Sequence, residues 1–100
     1  MRNMALIMLY RTTVKPEAIE VLNEIRNKFS DIYTKLGVEV LGHWRSTENP
    51  NESVYMVRYE SEDDYQKKTK ALQENEHYIH LTAKLNSIRT SFTPEKLVAA

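Results

Sequence analysis

The sequence predicts an α+β fold: four strands and two helical regions in the order β-α-β-β-α-β, the strands forming one antiparallel sheet. Three observations carry this. Residues 16–36 repeat apolar side chains every three or four positions, the period of a helix lying on a layer. Four other stretches have strand length and are either alternating or apolar on both parities. Pro, Gly and Asn punctuate the joins between them. A chain of 100 residues is expected to form a single domain, 1–100, with an adequate but modest core.

Ala5 to Thr12, "ALIMLYRT", is apolar on both parities and reads as a central strand covered on two faces. "TVKP" turns the chain, and Pro16 suits the first position of a helix, with Glu17 and Glu20 near its positive end. That helix is expected from Pro16 to Leu36, with Ala18, Leu22, Ile25, Phe29, Ile32 and Leu36 as its inward stripe and Gly37 as its stop. Val38 to Ser46, "VEVLGHWRS", alternates as an edge strand does. Val38, Val40, Gly42 and Trp44 fall on one parity, Glu39, Leu41, His43 and Arg45 on the other. "TENPNE" is a loop. Ser53 to Glu60 is a second central strand, with Val54 and Met56 opposed to Tyr55, Val57 and Tyr59. Ser61 and Asp64 form a capping-box pattern for a helix that turns Tyr65, Thr69 and Leu72 inward and Lys67, Lys68 and Lys70 to solvent. "ENE", Glu74 to Glu76, interrupts it, and a short helical piece follows over His77 to Lys84. Asn86 to Thr93 reads as the last strand, closed by Pro94, with "EKLVAA" as a tail.

Composition narrows the function. Lys plus Arg and Asp plus Glu number 14 each, so the chain lacks the basic excess of a nucleic-acid binder. There is no Cys, hence no disulfide, thiol nucleophile or zinc-thiolate site, as suits a reducing cytoplasm. Two Gly are too few for a glycine-rich phosphate loop. The apolar run near the N-terminus is too short to span a bilayer, and no small-residue cleavage site follows it. No metal-ligand spacing, catalytic triad or paired carboxylates can be argued, and neither metal nor cofactor is expected.

The element order is that of a ferredoxin-like split βαβ. Right-handed crossovers put both helical regions on one face of its sheet. The central strands nevertheless carry apolar residues on both parities, so the second face would be a large bare patch. A homodimer packed sheet to sheet is the expected remedy.

In "LGHWRSTENPNESVYMVRYESEDDY", the features Gly42, Trp44, Asn51, Tyr59, Ser61 and Asp63-Asp64 resemble the NIPSNAP family of the dimeric α+β barrel superfamily. "YRTTVKP" and "RTSFTP" fit loosely as well, so the likeness spans nearly the whole chain. It implies paired ferredoxin-like subunits enclosing pockets between sheet and helices, without a defined biochemical role. "YESEDDYQKK" also resembles the antibiotic-biosynthesis and haem-degrading monooxygenases of the same superfamily. The haem-degrading pattern asks for Asn, Trp and His where this chain has Tyr10, Tyr59 and, approximately, His80. One match in three counts against haem degradation.

Tyr10 and Tyr59 are the leading candidates for a pocket, each ending a central strand. His80, three residues from His77, reads either as a ligating group or as a solvent-facing helix residue. His43 and Trp44 are strand neighbours and point to opposite faces, with Trp44 favoured as core or dimer packing. Arg45 reads as an edge guard, and Arg89 pairs either with an anionic ligand or with a carboxylate such as Glu39. Met4, Met8 and Met56 are core filler. The expected function is binding of a small hydrophobic or aromatic ligand. The alternatives are a cofactor-independent monooxygenase acting on an aromatic substrate and a pure interaction module.

Overall fold

Strand β1 (Leu6–Val14) leads through a 3₁₀ turn (Pro16–Ala18) into helix α1 (Ile19–Lys35) in a computed structural model that describes residues 5–99. Strands β2 (Glu39–Arg45) and β3 (Glu52–Tyr59), helices α2 (Glu62–Gln73) and α3 (Glu76–Ile88), and strand β4 (Arg89–Val98) follow. The sheet runs β2-β3-β1-β4 with every neighbouring pair antiparallel, so β1 and β3 are central and β2 and β4 are edges. This is the ferredoxin-like α+β fold. Met4 lies outside the described residues.

Local chemistry sets the joins. Gly37 has φ 78°, a conformation that favours glycine, and ends α1. Ser61 Oγ accepts from Asp64 N–H at 3.1 Å, and Asp64 returns the bond to the N–H of Glu60 at 2.9 Å, completing a variant capping box. Asn75 breaks the second helical region in two: its Oδ1 accepts from Tyr78 N–H at 2.9 Å and starts α3.

Three expectations need correcting. Helix α3 continues through Ile88, so Asn86 to Ile88 are helical, and β4 passes through Pro94 to Val98 where a tail was expected. The strand tolerates the proline because β4 is an edge, where alternate N–H groups face outward and make no ladder bond. The buried stripe of α1 is Leu22, Ile25, Arg26, Phe29 and Tyr33, with Ile32 and Leu36 only partly covered. Lys68 is not simply solvated: it pairs with Asp64 at 3.0 Å and donates to the carbonyl of Gly37 at 2.9 Å, tying α2 to the turn after α1.

Two layers result. Leu6 and Met8 of β1 and Tyr55, Val57 and Tyr59 of β3 meet Leu22, Ile25, Phe29, Leu72, Leu81 and Leu85 from the helices. The other sheet face carries aligned rows: Leu97, Ile7, Arg58 and Glu39; Glu95, Leu9, Met56 and Gly42; Thr93, Arg11, Val54 and Trp44. Leu97, Ile7, Leu9, Met56 and Val54 remain partly exposed, and Trp44 is 51% exposed. An apolar band therefore crosses the open face, flanked by the ion pairs Arg11–Glu52 and Arg58–Glu39.

Candidate functional site

The strand alternation of β1 sends Tyr10 and Met8 toward the helices, and β4 brings Phe92 and Pro94 beside them. From above, α1 lowers Arg26, Phe29 and Tyr33, and α3 lowers Tyr78, Thr82 and Leu85. Together with Tyr65 and Arg89 these residues line a half-open cavity of about 330 Å³ between sheet and helices. Its floor is the Tyr10–Phe92 stack, with centroids 5.9 Å apart and an interplanar angle of 14°. Phe29 and Tyr78 meet edge to face at 5.4 Å on the helical side. Tyr10, Tyr65 and Tyr78 also border a second depression lined by Gln66, Thr69 and Lys96.

The electrostatics of this cavity are one-sided. Arg26 is 5% exposed and hydrogen-bonds Thr12 Oγ1 at 3.0 Å. Its guanidinium carbon lies 4.7 Å from the Tyr55 ring centroid. Burial lowers its pKa, an effect countered in part by the Tyr33, Tyr55 and Tyr10 hydroxyls, and the group stays cationic. Arg89 sits 4.0 Å over the Phe92 ring, and burial lowers it too. Burial, reinforced by neighbouring phenols, raises Tyr10 and Tyr33 well above the ordinary tyrosine value. These phenols stay protonated and can donate hydrogen bonds to a bound molecule.

The residues singled out in the sequence scatter. Tyr10 and Arg89 line the cavity. Arg89 does not pair with Glu39: the two lie on opposite edges of the sheet, and Glu39 pairs with Arg58 at 3.5 Å. Tyr59 does not line the cavity: it is fully buried and packs edge to face at 5.1 Å on Tyr65, which does. His80 is exposed on α3 and lines none of these depressions, because Leu81 and Leu85 take the inward face. Among the described residues no three His, Asp or Glu side chains gather as a metal-binding group.

His43 and Trp44 do separate. The simple alternation fails at a bulge between Val40 and Gly42, so Val40 and His43 face the helices while Gly42 and Trp44 face the open side. The Trp44 ring covers Gly42, where an added Cβ would lie 2.7 Å from the indole. His43 packs edge to face on Tyr55 at 5.9 Å and borders a smaller cavity of about 220 Å³ with Asn23, Arg45 and Ser53. Burial, then Arg26 and Arg45, push its pKa down to about 4. Arg26 and Tyr33 line the cavity without having been singled out in the sequence, and Phe29, expected only as core, lines it too, as does Tyr78. The available signal was an arginine set three and four residues from Phe29 and Leu22, inside an apolar stripe.

The fold and the aromatic cavity define a ferredoxin-like α+β protein with a ligand-sized cleft between sheet and helices. Among solved structures, it is similar to a NIPSNAP family protein from Agrobacterium tumefaciens, with a TM-score of 0.82 and 14% identity over 100% of this chain and 90% of that one. A second NIPSNAP family protein of unknown function from the same organism matches with a TM-score of 0.79 and 20% identity, covering 99% of this chain and 90% of the other. An antibiotic biosynthesis monooxygenase matches with a TM-score of 0.75 and 15% identity, covering 95% and 98%. No family model matches the chain, and no curated protein does. Among the described residues no helix is long and apolar enough to cross a membrane.

Proposed function

We propose that this chain is a NIPSNAP-like, dimeric α+β barrel protein of the cytoplasm that binds a small aromatic or hydrophobic molecule. The observation that carries the reading is the cavity walled by Tyr10, Phe29, Tyr33, Tyr78 and Phe92 between the sheet and α1 and α3. Apolar walls with a few convergent polar groups are the usual make-up of a small-molecule site. The open sheet face supports the dimer, since its apolar band has no cover within the described chain. Tyr10 and Arg89 are the ligand contacts, Tyr59 acts only through Tyr65, on which it packs, and Trp44 belongs to the subunit contact. His43 serves a neighbouring compartment, and His80 has no part in the cavity.

The test is binding of small ring compounds, followed by calorimetry with the wild type and Tyr10→Ala. Binding in the wild type, weakened about tenfold or more in the variant, is expected from the loss of one stacking wall. Equal affinity in both proteins would move the ligand elsewhere.

A second reading, a cofactor-independent monooxygenase acting on an activated aromatic compound, is supported by the fold shared with the monooxygenase above and by the protonated phenols around the cavity. Oxygen consumption with a panel of dihydroxynaphthalenes tests it, and no uptake across the panel would end it.

A further inference from the structure

Arg26 is the least expected residue in the molecule. It is 5% exposed, lies in the apolar stripe of α1 and borders the aromatic cavity. Its one side-chain hydrogen bond is to a neutral hydroxyl, Thr12 Oγ1, and its buried Nε has no acceptor. Arg11, Arg58, Lys68 and Lys96 all have carboxylate partners, whereas no carboxylate pairs with Arg26 or Arg89 among the described residues. Aspartate and glutamate are also missing from the cavity lining. Two cations thus border one half-open cavity with no counter-charge in its lining. A buried cation is costly unless it is paired, and the Tyr55 and Phe29 rings, 4.7 and 5.9 Å from the Arg26 guanidinium carbon, offset only part of that cost.

We infer that the cavity takes an anionic ligand: a flat, one- or two-ring aromatic acid whose carboxylate lies between Arg26 and Arg89. The stacked Tyr10–Phe92 pair and the Phe29 edge make a slot for a planar ring. The volume, about 330 Å³, is at the small end for ligand sites and suits a molecule of that size. A guanidinium fork matches a carboxylate in shape as well as charge. This inference rests on the cavity being the ligand site proposed above.

The experiment compares acids with their uncharged isosteres: benzoate with benzamide, and 2-naphthoate with 2-naphthamide, by calorimetry at neutral pH. The acids are expected to bind about tenfold or more tightly than the amides, the scale of a charge-assisted hydrogen bond. Arg26→Met should abolish that preference and Arg89→Met reduce it, while Arg26→Lys should retain part of it. In the wild type, adding 2-naphthoate should shift the Nε–H resonance of Arg26, and 2-naphthamide should not. The Arg89 variant and the wild-type spectrum keep the test valid should Arg26→Met fail to fold. Acids and amides binding equally would leave the ligand cavity intact and overturn its anionic character. No binding by any of the four compounds at millimolar concentration would overturn both. A preference for acids that survives unchanged in Arg26→Met would make Arg26 structural and refute its assigned role.

Discussion

Tyr55 and Tyr59 stand four residues apart on the same face of β3, yet their hydroxyls are treated differently. Tyr55 Oη hydrogen-bonds Ser30 Oγ at 2.9 Å, while Tyr59 Oη is buried with no partner among the described residues. Tyr55→Phe should therefore cost about 0.5–1.5 kcal/mol, and Tyr59→Phe should be neutral or stabilising, as measured by urea denaturation. His43 offers a test by pH. Its folded pKa of about 4 lies below the free value of 6.5, so the unfolded chain takes up the proton first. Its contribution to stability is full above about pH 6.5 and is lost as pH falls toward 4, at up to about 1.4 kcal/mol per pH unit. Carboxylates titrate nearby, so the readout is the difference between wild type and His43→Gln, which should lack that component. At this scale Tyr10 was legible because it belongs to a strand of obvious pattern, although β1 runs on to Val14 and Tyr10 stands at its centre, not at its end as expected. Arg26 was not, because a periodicity count that scores only apolar residues passes over a cation seated in the stripe.

Helix α3 shows what decides an element. Its start depends on Asn75, whose side chain caps the Tyr78 N–H. Asn75→Ala should lower stability by about 1 kcal/mol, and Asn75→Asp should recover most of it, in thermal melts of otherwise identical protein. Because Tyr78 follows the cap by three residues and lines the cavity, the alanine variant should also weaken any ligand held there. The break at "ENE" was legible from its polar residues, but the end of α3 was not. Asn86, Ser87 and Ile88 alternate well enough for a strand, yet they finish a helix whose inward face is Leu81 and Leu85. Pro94 misled for a related reason. Its missing N–H excludes it from a central strand, and only the pairing order reveals that β4 is an edge.

For the whole molecule, the two-layer arrangement was readable from the element order and right-handed crossovers, and the bulge at Leu41 was not, since one extra residue leaves no mark in composition. The open face is where the proposed dimer can be challenged. Leu9→Glu places a charge in the middle of its apolar band, beside Glu95 and Met56 in the same row. Sedimentation equilibrium should give twice the chain mass for the wild type and a single chain for the variant. A wild-type monomer at micromolar concentration would remove the dimer. Tyr55 brings the two compartments into conversation. Its ring stands between the guanidinium of Arg26, 4.7 Å away, and the imidazole of His43, 5.9 Å away, and the cation's repulsion helps hold that imidazole neutral. An acid docking against Arg26 would cancel much of this repulsion and let His43 protonate at higher pH. The histidine's proton resonances thus act as a built-in voltmeter, registering occupancy next door without any label on the guest.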